Sequence, residues 1–329
     1  MQGHHALAGS HIRSGSKLLQ ETVHIQRREH SALGFKRQAN CYVPLEIVAA
    51  IFAGLDKQAA TTIRDYKFET YKDSFIGIME RDNPFLFSSI EEAKDVLEYG
   101  RCLFTSSHPT QLLYDDVDSP GTIQGHRAYF TTLMSKYSHA LHVFADTRGP
   151  LLTPQEDLAV AALQLHVLNT YVYFHIEHLP PAYRLHRNEL LPQMKEMIVL
   201  GEKLISSISI NDDPKHQAAS FCLDMGFVIP LYTVASQCQD TTIRRRAISL
   251  LRSTSRQEGL WNSLVVATAA ERIMEIEESE GEQLTACTDG TVVPTVLQLD
   301  ATGVRLQYVR PGQEGIKTHV NVVEEVFIW

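Results

Sequence analysis

Two pairs of histidines have the residue type and spacing best suited to chemistry. The chain has 329 residues and 15 histidines, among them His139 with His142 and His175 with His178. Each pair is three residues apart and so shares one face of a helix. Such a pair could bind a transition metal with a third ligand from elsewhere, or supply a general base near neutral pH. Because no third ligand follows at a fixed spacing, we favour a polar stripe beside the core and predict no metal.

A carboxyl group in an apolar run is the next candidate. Asp224 stands within residues 221–235, a run that also contains Pro230. A buried carboxyl group needs hydrogen-bond partners or a raised pKa, so Asp224 could mark a ligand pocket. The alternative, which we favour, is that it bonds the backbone beside a helix kink at the proline.

The strongest basic cluster consists of Arg244, Arg245, Arg246, Arg252 and Arg256. A cluster of cations could contact an acidic partner or act in nuclear import. However, apolar residues recur between these arginines, which is typical of the solvated side of an amphipathic helix. The acidic segment 271–282 can neutralise that side. We therefore predict a structural role for the cluster.

Composition and missing motifs argue against several classes of function. Lys and Arg total 30 against 39 Asp and Glu, a net charge of −9 that repels phosphate backbones. No phosphate-binding glycine loop, dinucleotide fingerprint, nucleophile elbow or HExxH helix occurs, so we expect no cofactor. The five scattered cysteines fit a reducing compartment. With no signal peptide and no bilayer-length apolar stretch, we expect an intracellular protein without membrane contact.

Most of the chain has helical periodicity, and several helix starts carry capping residues. Ser89 with Glu92 and Thr153 with Glu156 are predicted capping boxes, and Ser255 with Glu258 is a weaker one. Asp213 and Asp240 are further candidate N-caps. Apolar residues three and four apart predict helices near residues 5–20, 44–62, 89–106, 123–145, 158–179, 188–208, 215–237, 243–251 and 260–273.

The C-terminal segment has a different pattern. Residues 295–299 and 304–309 alternate apolar and polar side chains around a turn that contains Gly303, which predicts a β-hairpin. Residues 320–329 are a candidate third extended segment.

These patterns together predict a mainly α fold. We expect a multi-helix bundle over residues 1–285 and a C-terminal β-hairpin appendage over residues 286–329. An isolated hairpin is marginal in water, so the appendage should pack on the bundle.

Eight segments match motifs of one known family in the same order. They are residues 6–19, 51–59, 91–97, 227–232 (FVIPLY), 238–240 (CQD), 243–248 (IRRRAI), 256–261 (RQEGLW) and 323–327. In these motifs the chain resembles the C-terminal regulatory region of fungal zinc binuclear cluster (six-cysteine) transcription factors. The family's cluster of six closely spaced cysteines has no match here, so no zinc-contacting or DNA-contacting residue is carried over.

The resemblance implies a helical regulatory domain and, by analogy, a nuclear regulator of secondary-metabolite genes. We expect a transcription-factor-like regulatory protein without its own DNA-binding domain and without direct nucleic-acid binding, located in the nucleus or the cytoplasm. Protein partners or a homodimer, and a small-molecule ligand, are the expected contacts.

The alternative is an enzyme on the same helical scaffold, such as a cofactor-free cyclase or isomerase of natural-product biosynthesis. Its acid–base groups would be drawn from His139, His142, His175, His178 and Asp224. The sequence is compatible with both a regulator and an enzyme.

Overall fold

The computed structural model describes residues 10–18, 48, 52, 55, 86–105, 120–178, 185–211, 220–222, 226–259, 261–280, 293–299, 303–310 and 321–328. Contacts between residues divide the chain into two compact units. One unit contains residues 1–3, 76–97 and 116–329, and the other contains residues 4–75 and 98–115. Residues 10–18, in the second unit, are helical.

The described part of the chain from residue 86 onward is mainly helical, which confirms the predicted fold class. Its helices are α1 (Ile90–Thr105), α2 (Pro120–Arg148), α3 (Pro154–Tyr173), α4 (Leu191–Asn211), α5 (Val228–Gln237), α6 (Thr241–Arg252) and α7 (Ser263–Glu280). Short 3₁₀ helices cover Gly149–Leu151 and Arg187–Leu190, and a single turn of π-helix, called the π-turn below, covers Phe174–His178. Among these helices, none has both the length and the apolar content needed to cross a bilayer.

The helix starts follow the capping prediction at two positions. Thr153 forms the full capping box of α3: its Oγ1 accepts from Glu156 N–H at 3.2 Å, and its own N–H donates to Glu156 Oε2 at 2.8 Å. Asp240 Oδ1 caps α6 by accepting from Thr242 and Ile243 N–H. Both contacts join residues two or three apart, which explains why sequence alone was enough to predict them.

Two other boxes differ from the prediction. Ser89 does cap α1, but Glu92 reaches back to Ser88 N–H, one residue earlier than expected. Ser255 starts no helix, because the residues after it form the strand Arg256–Glu258. Asp213 lies outside the described residues.

The predicted helix over residues 215–237 is wrong in its first half. Residues Ser220–Cys222 form a strand, and helix α5 begins at Val228. Pro230 therefore lies in the first turn of α5, where its missing N–H breaks no helical hydrogen bond, and the predicted kink at this residue is also wrong.

Two small sheets accompany the helices. In the first, β1 (Ser220–Cys222) pairs in parallel with β2 (Arg256–Glu258), which pairs antiparallel with β3 (Trp261–Asn262). The second consists of β4 (Val293–Leu299), β5 (Gly303–Arg310) and β6 (Asn321–Ile328), all antiparallel. The hairpin and its third segment are confirmed. The division at residue 286 stays a prediction.

The largest described core is formed by α3 to α7. Its fully buried members include Leu165, Met194, Leu231, Leu251 and Ala270, one from each helix. Helices α4 and α5 approach closely at Gly201, where an added Cβ would lie 2.8 Å from Leu231 Cδ2. This core holds α5 in place, and polar groups lie at both ends of the helix.

Candidate functional site

The structure places the predicted acid–base residues in different environments. His139 and His142 are exposed on α2, and His142 Nε2 lies 3.1 Å from Asp146. His175 is buried in the π-turn after α3. His178 is the last residue of that turn. Asp224 lies outside the described residues. No hydrogen bond or ion pair among the described residues joins His139, His142 and His175, and the enzyme alternative stays a prediction.

His175 is the predicted site residue with the most distinctive surroundings. Its Nδ1 donates to the backbone oxygen of Tyr171 at 2.8 Å, which makes Nε2 the acceptor nitrogen of the neutral ring. The ring lies 4.2 Å from the Tyr171 ring and edge-on to Phe174 and Phe130, whose own rings stack at 3.7 Å. π-Turns are often found at functional sites, so this aromatic cluster is a candidate site.

Acid is expected to destabilise the protein partly through His175. Burial lowers the pKa of His175 in the folded protein, so as the pH falls the unfolded chain binds a proton at this residue before the folded protein does. The stability of the folded protein that depends on a neutral His175 is complete above the unfolded pKa and is lost as the pH falls through the folded pKa. When the pH is lowered from 7.5 to 5.5, urea unfolding should show a smaller loss of stability in His175→Asn than in the wild type. His142→Asn, at an exposed position, is the matched control. An identical loss in His175→Asn and the wild type would contradict this role.

A second polar site, which we call the helix-end junction, surrounds the start of α5. Its central group is Glu258, which is buried and accepts from Phe227 N–H at 3.1 Å and from Val228 N–H at 3.0 Å. Arg256 Nε donates to the same carboxylate at 2.7 Å, and its guanidinium lies 5.2 Å from the Phe227 ring centre. A carboxylate at this position satisfies free amides and complements the positive end of the helix dipole.

The junction is also held from α3. His166 is buried, and its Nε2–H donates to Gly226 O at 2.6 Å, which fixes the tautomer of the ring. Gly226 must be glycine, because a Cβ there would overlap the Glu258 carboxylate. The segment before α5 is therefore fixed on one side by an imidazole and on the other by a carboxylate.

The chemistry of the junction is structural. Burial raises the pKa of Glu258, and the Val228 amide and Arg256 oppose this shift. Both carboxylate oxygens accept hydrogen bonds from amides at the start of α5, so the group acts as a helix cap. Neither Glu258 nor His166 was a sequence candidate. Glu258 entered the sequence analysis only as the second member of the Ser255 capping box, whereas in the structure it caps α5, about thirty residues earlier in the chain.

Four arginines of the basic cluster lie on α6 and are paired with glutamates of neighbouring helices, whereas Arg256 lies on β2 and pairs with Glu258 of the same strand. Arg245 Nη2 and Arg246 Nε each lie 2.6 Å from a carboxylate oxygen, of Glu278 on α7 and Glu202 on α4 respectively. Arg244 pairs with Glu277 and Arg252 with Glu271, and both pairs join α6 to α7, as Arg245 and Glu278 do. We call these four pairs the arginine ladder. The predicted neutralisation by the acidic segment 271–282 is confirmed for Arg244, Arg245 and Arg252, whereas Arg246 pairs with Glu202 outside that segment.

Among the described residues, no group of three His, Cys, Asp or Glu side chains is close enough to hold a metal ion. Cys238 is a buried free thiol at the end of α5, and burial raises its pKa, so the reactive thiolate is disfavoured. These residues therefore provide no metal ligand set and no activated thiol.

The fold and these sites define a mainly α protein in which polar groups anchor helix ends and join helices. Over 118 residues the chain is 30% identical to the aspercryptin biosynthesis cluster-specific transcription regulator atnN of Emericella nidulans. The similarity covers 35% of this chain and 19% of that regulator, and it is consistent with a fungal transcription-factor regulatory region. No protein-family profile matches the chain. No solved structure matches it either.

Proposed function

We propose that this chain is a transcription regulatory protein for genes of a fungal biosynthetic cluster. The observation that carries the proposal is the similarity to atnN, whose name describes a cluster-specific transcription regulator. The chain spans about a fifth of that relative, so the proposal concerns the regulatory role and not the relative's target genes. The nucleus is the location that this role requires.

We further propose that the protein acts through contacts with other proteins, or with a second copy of itself, and not through DNA. Each arginine of the ladder already has a glutamate partner, which the phosphates of a DNA backbone would have to displace at every contact. The net charge of −9 adds a repulsive field. Both observations favour a protein partner over a nucleic acid.

Deletion of the gene is the decisive test of the regulatory role. Transcripts and metabolites should be measured together in the deletion strain and in a strain complemented with the wild-type gene. We expect transcripts of several linked biosynthetic genes to change at least fivefold and to recover on complementation. Unchanged transcripts with accumulation of a single compound would overturn the proposal in favour of the enzyme alternative.

Direct DNA binding has a separate test in vitro. Fluorescence anisotropy should be measured with purified protein and labelled promoter fragments of the genes whose transcripts change. We expect no saturable binding below about 10 μM at 150 mM salt, where non-specific affinities of DNA-binding proteins already reach the micromolar range. Saturable binding below that concentration would refute the protein-contact version and leave the regulatory role standing.

A further inference from the structure

The turn between α6 and β2 contains three consecutive hydroxyl residues that differ in their bonding. Ser253 Oγ donates to Leu250 O at 2.7 Å, and Thr254 Oγ1 donates to Leu251 O at 3.3 Å, so both close the end of α6. Ser255 is exposed and non-helical, and within the described part of the chain no hydrogen bond holds its hydroxyl. Its oxygen is therefore accessible to a reagent in solution.

Arginines flank this serine in the pattern that arginine-directed protein kinases recognise. Arg252 precedes Ser255 by three residues, and Arg256 follows it directly. Three serines in the described residues have an arginine three positions before them, namely Ser16, Ser249 and Ser255. Ser16 and Ser249 lie within helices. Helical backbone hides an acceptor hydroxyl from a kinase, and Ser255 is the one of these three serines that lies outside a helix, directly before β2.

We propose that Ser255 is a phosphorylation site for an arginine-directed protein kinase. In this reaction the Oγ–P bond forms as the bond between the γ-phosphorus of ATP and its bridging oxygen breaks. ADP leaves, and the hydroxyl proton passes to the kinase base. The inference rests on the geometry of the turn and holds whether or not the protein regulates transcription.

The surroundings can accept the added charge without loss of the fold. Arg252 is about half exposed (47%), as is its partner Glu271 (41%), so a phosphate three residues away can compete for the guanidinium. Arg256 is paired with Glu258 in the helix-end junction. Neighbouring positions of an extended segment point to opposite faces, so the phosphate is added away from Glu258. We expect phosphorylation to exchange the Arg252–Glu271 contact for an Arg252–phosphate contact.

The full chain should be incubated with ATP and the catalytic subunit of an arginine-directed kinase, and the rate at Ser255 followed by mass spectrometry. We expect near-stoichiometric phosphate at Ser255 and at least a tenfold slower rate in Arg252→Ala. Ser249→Ala is the matched control and should leave the rate unchanged. An unmodified Ser255 in the folded chain, or an equal rate in Arg252→Ala, would overturn the proposal.

The state of the fold needs its own readout, because an unfolded chain would expose every serine. Thermal unfolding of the phosphorylated protein should stay cooperative, with the midpoint within about 3 °C of the unmodified protein. Ser249 should remain unmodified in the folded chain and become modified in a peptide covering residues 241–259. A rate at Ser249 equal to that at Ser255 in the folded chain would show local unfolding and contradict the proposed selection by the turn.

Discussion

Replacement of Glu258 by alanine is expected to lower the free energy of unfolding by about 3 kcal/mol. The carboxylate accepts from Phe227 N–H and Val228 N–H, and all three residues are buried. Each buried amide that loses its acceptor costs about 1–3 kcal/mol, and entry of water into the space left by the side chain reduces the total. Arg256 loses its partner but is partly exposed, so it contributes less. Urea unfolding followed by circular dichroism measures this loss.

Two further variants separate the cap from a general effect of losing a glutamate. Glu275→Ala removes an exposed carboxylate that pairs with Arg272 three residues earlier on α7, and should cost less than about 0.5 kcal/mol. Gly226→Ala should destabilise the wild type strongly, because its Cβ overlaps the Glu258 carboxylate. In the Glu258→Ala background the overlap is absent, so the cost of Gly226→Ala should fall by at least 1 kcal/mol. Additive effects of the two substitutions would show that the carboxylate does not occupy this position.

The helix ends that could be predicted from the sequence are those whose donors and acceptors are close in the chain. Thr153 and Asp240 reach amides two or three residues away, so neither depends on tertiary packing. The C-terminal hairpin was predictable for a similar reason, because only three residues separate β4 from β5 and the strands alternate with period two.

The helix-end junction could not be predicted because its contacts span long sequence separations. Glu258 accepts from Val228, thirty residues earlier, and β2 pairs with β1 over a comparable separation. Locally, Ser255 and Glu258 have the spacing of a capping box, and nothing within that window shows that the chain continues as a strand. The helix predicted over residues 215–237 is wrong for the same reason: β1 is three residues long and depends on a partner from another part of the chain.

The histidine pairs show the limit of spacing as a guide to chemistry. His139 and His142 share a face of α2, as predicted, but that face is exposed. His166 was not a candidate, because no second histidine lies three or four residues away, and yet it makes a buried hydrogen bond to the backbone before α5. Whether an imidazole lies in the core or in solvent depends on which face of its helix packs, and that is a property of the tertiary structure.

Replacement of Glu277 by alanine is expected to have the largest effect, a loss of about 3–5 kcal/mol. Its partner Arg244 has a side chain only 5% exposed, and Glu277 is 11% exposed. Removing one member of a buried pair leaves a guanidinium that cannot reach water. The backbone oxygen of Ala235 would remain as a neutral partner for Nε at 2.9 Å, while Nη2 is already without a hydrogen bond.

Glu278→Ala is the matched control, because it removes the same atoms from the next position of α7. Its partner Arg245 is 59% exposed, so solvent can replace the carboxylate and the cost should stay below about 1 kcal/mol. The double variant Arg244→Met with Glu277→Leu removes both charges and should recover most of the stability lost in Glu277→Ala, because no unpaired charge then remains buried. Equal losses in Glu277→Ala and Glu278→Ala would mean that burial does not distinguish the two pairs. Failure of the double variant to recover would mean that the ion pair itself, and not the stranded cation, determines the cost.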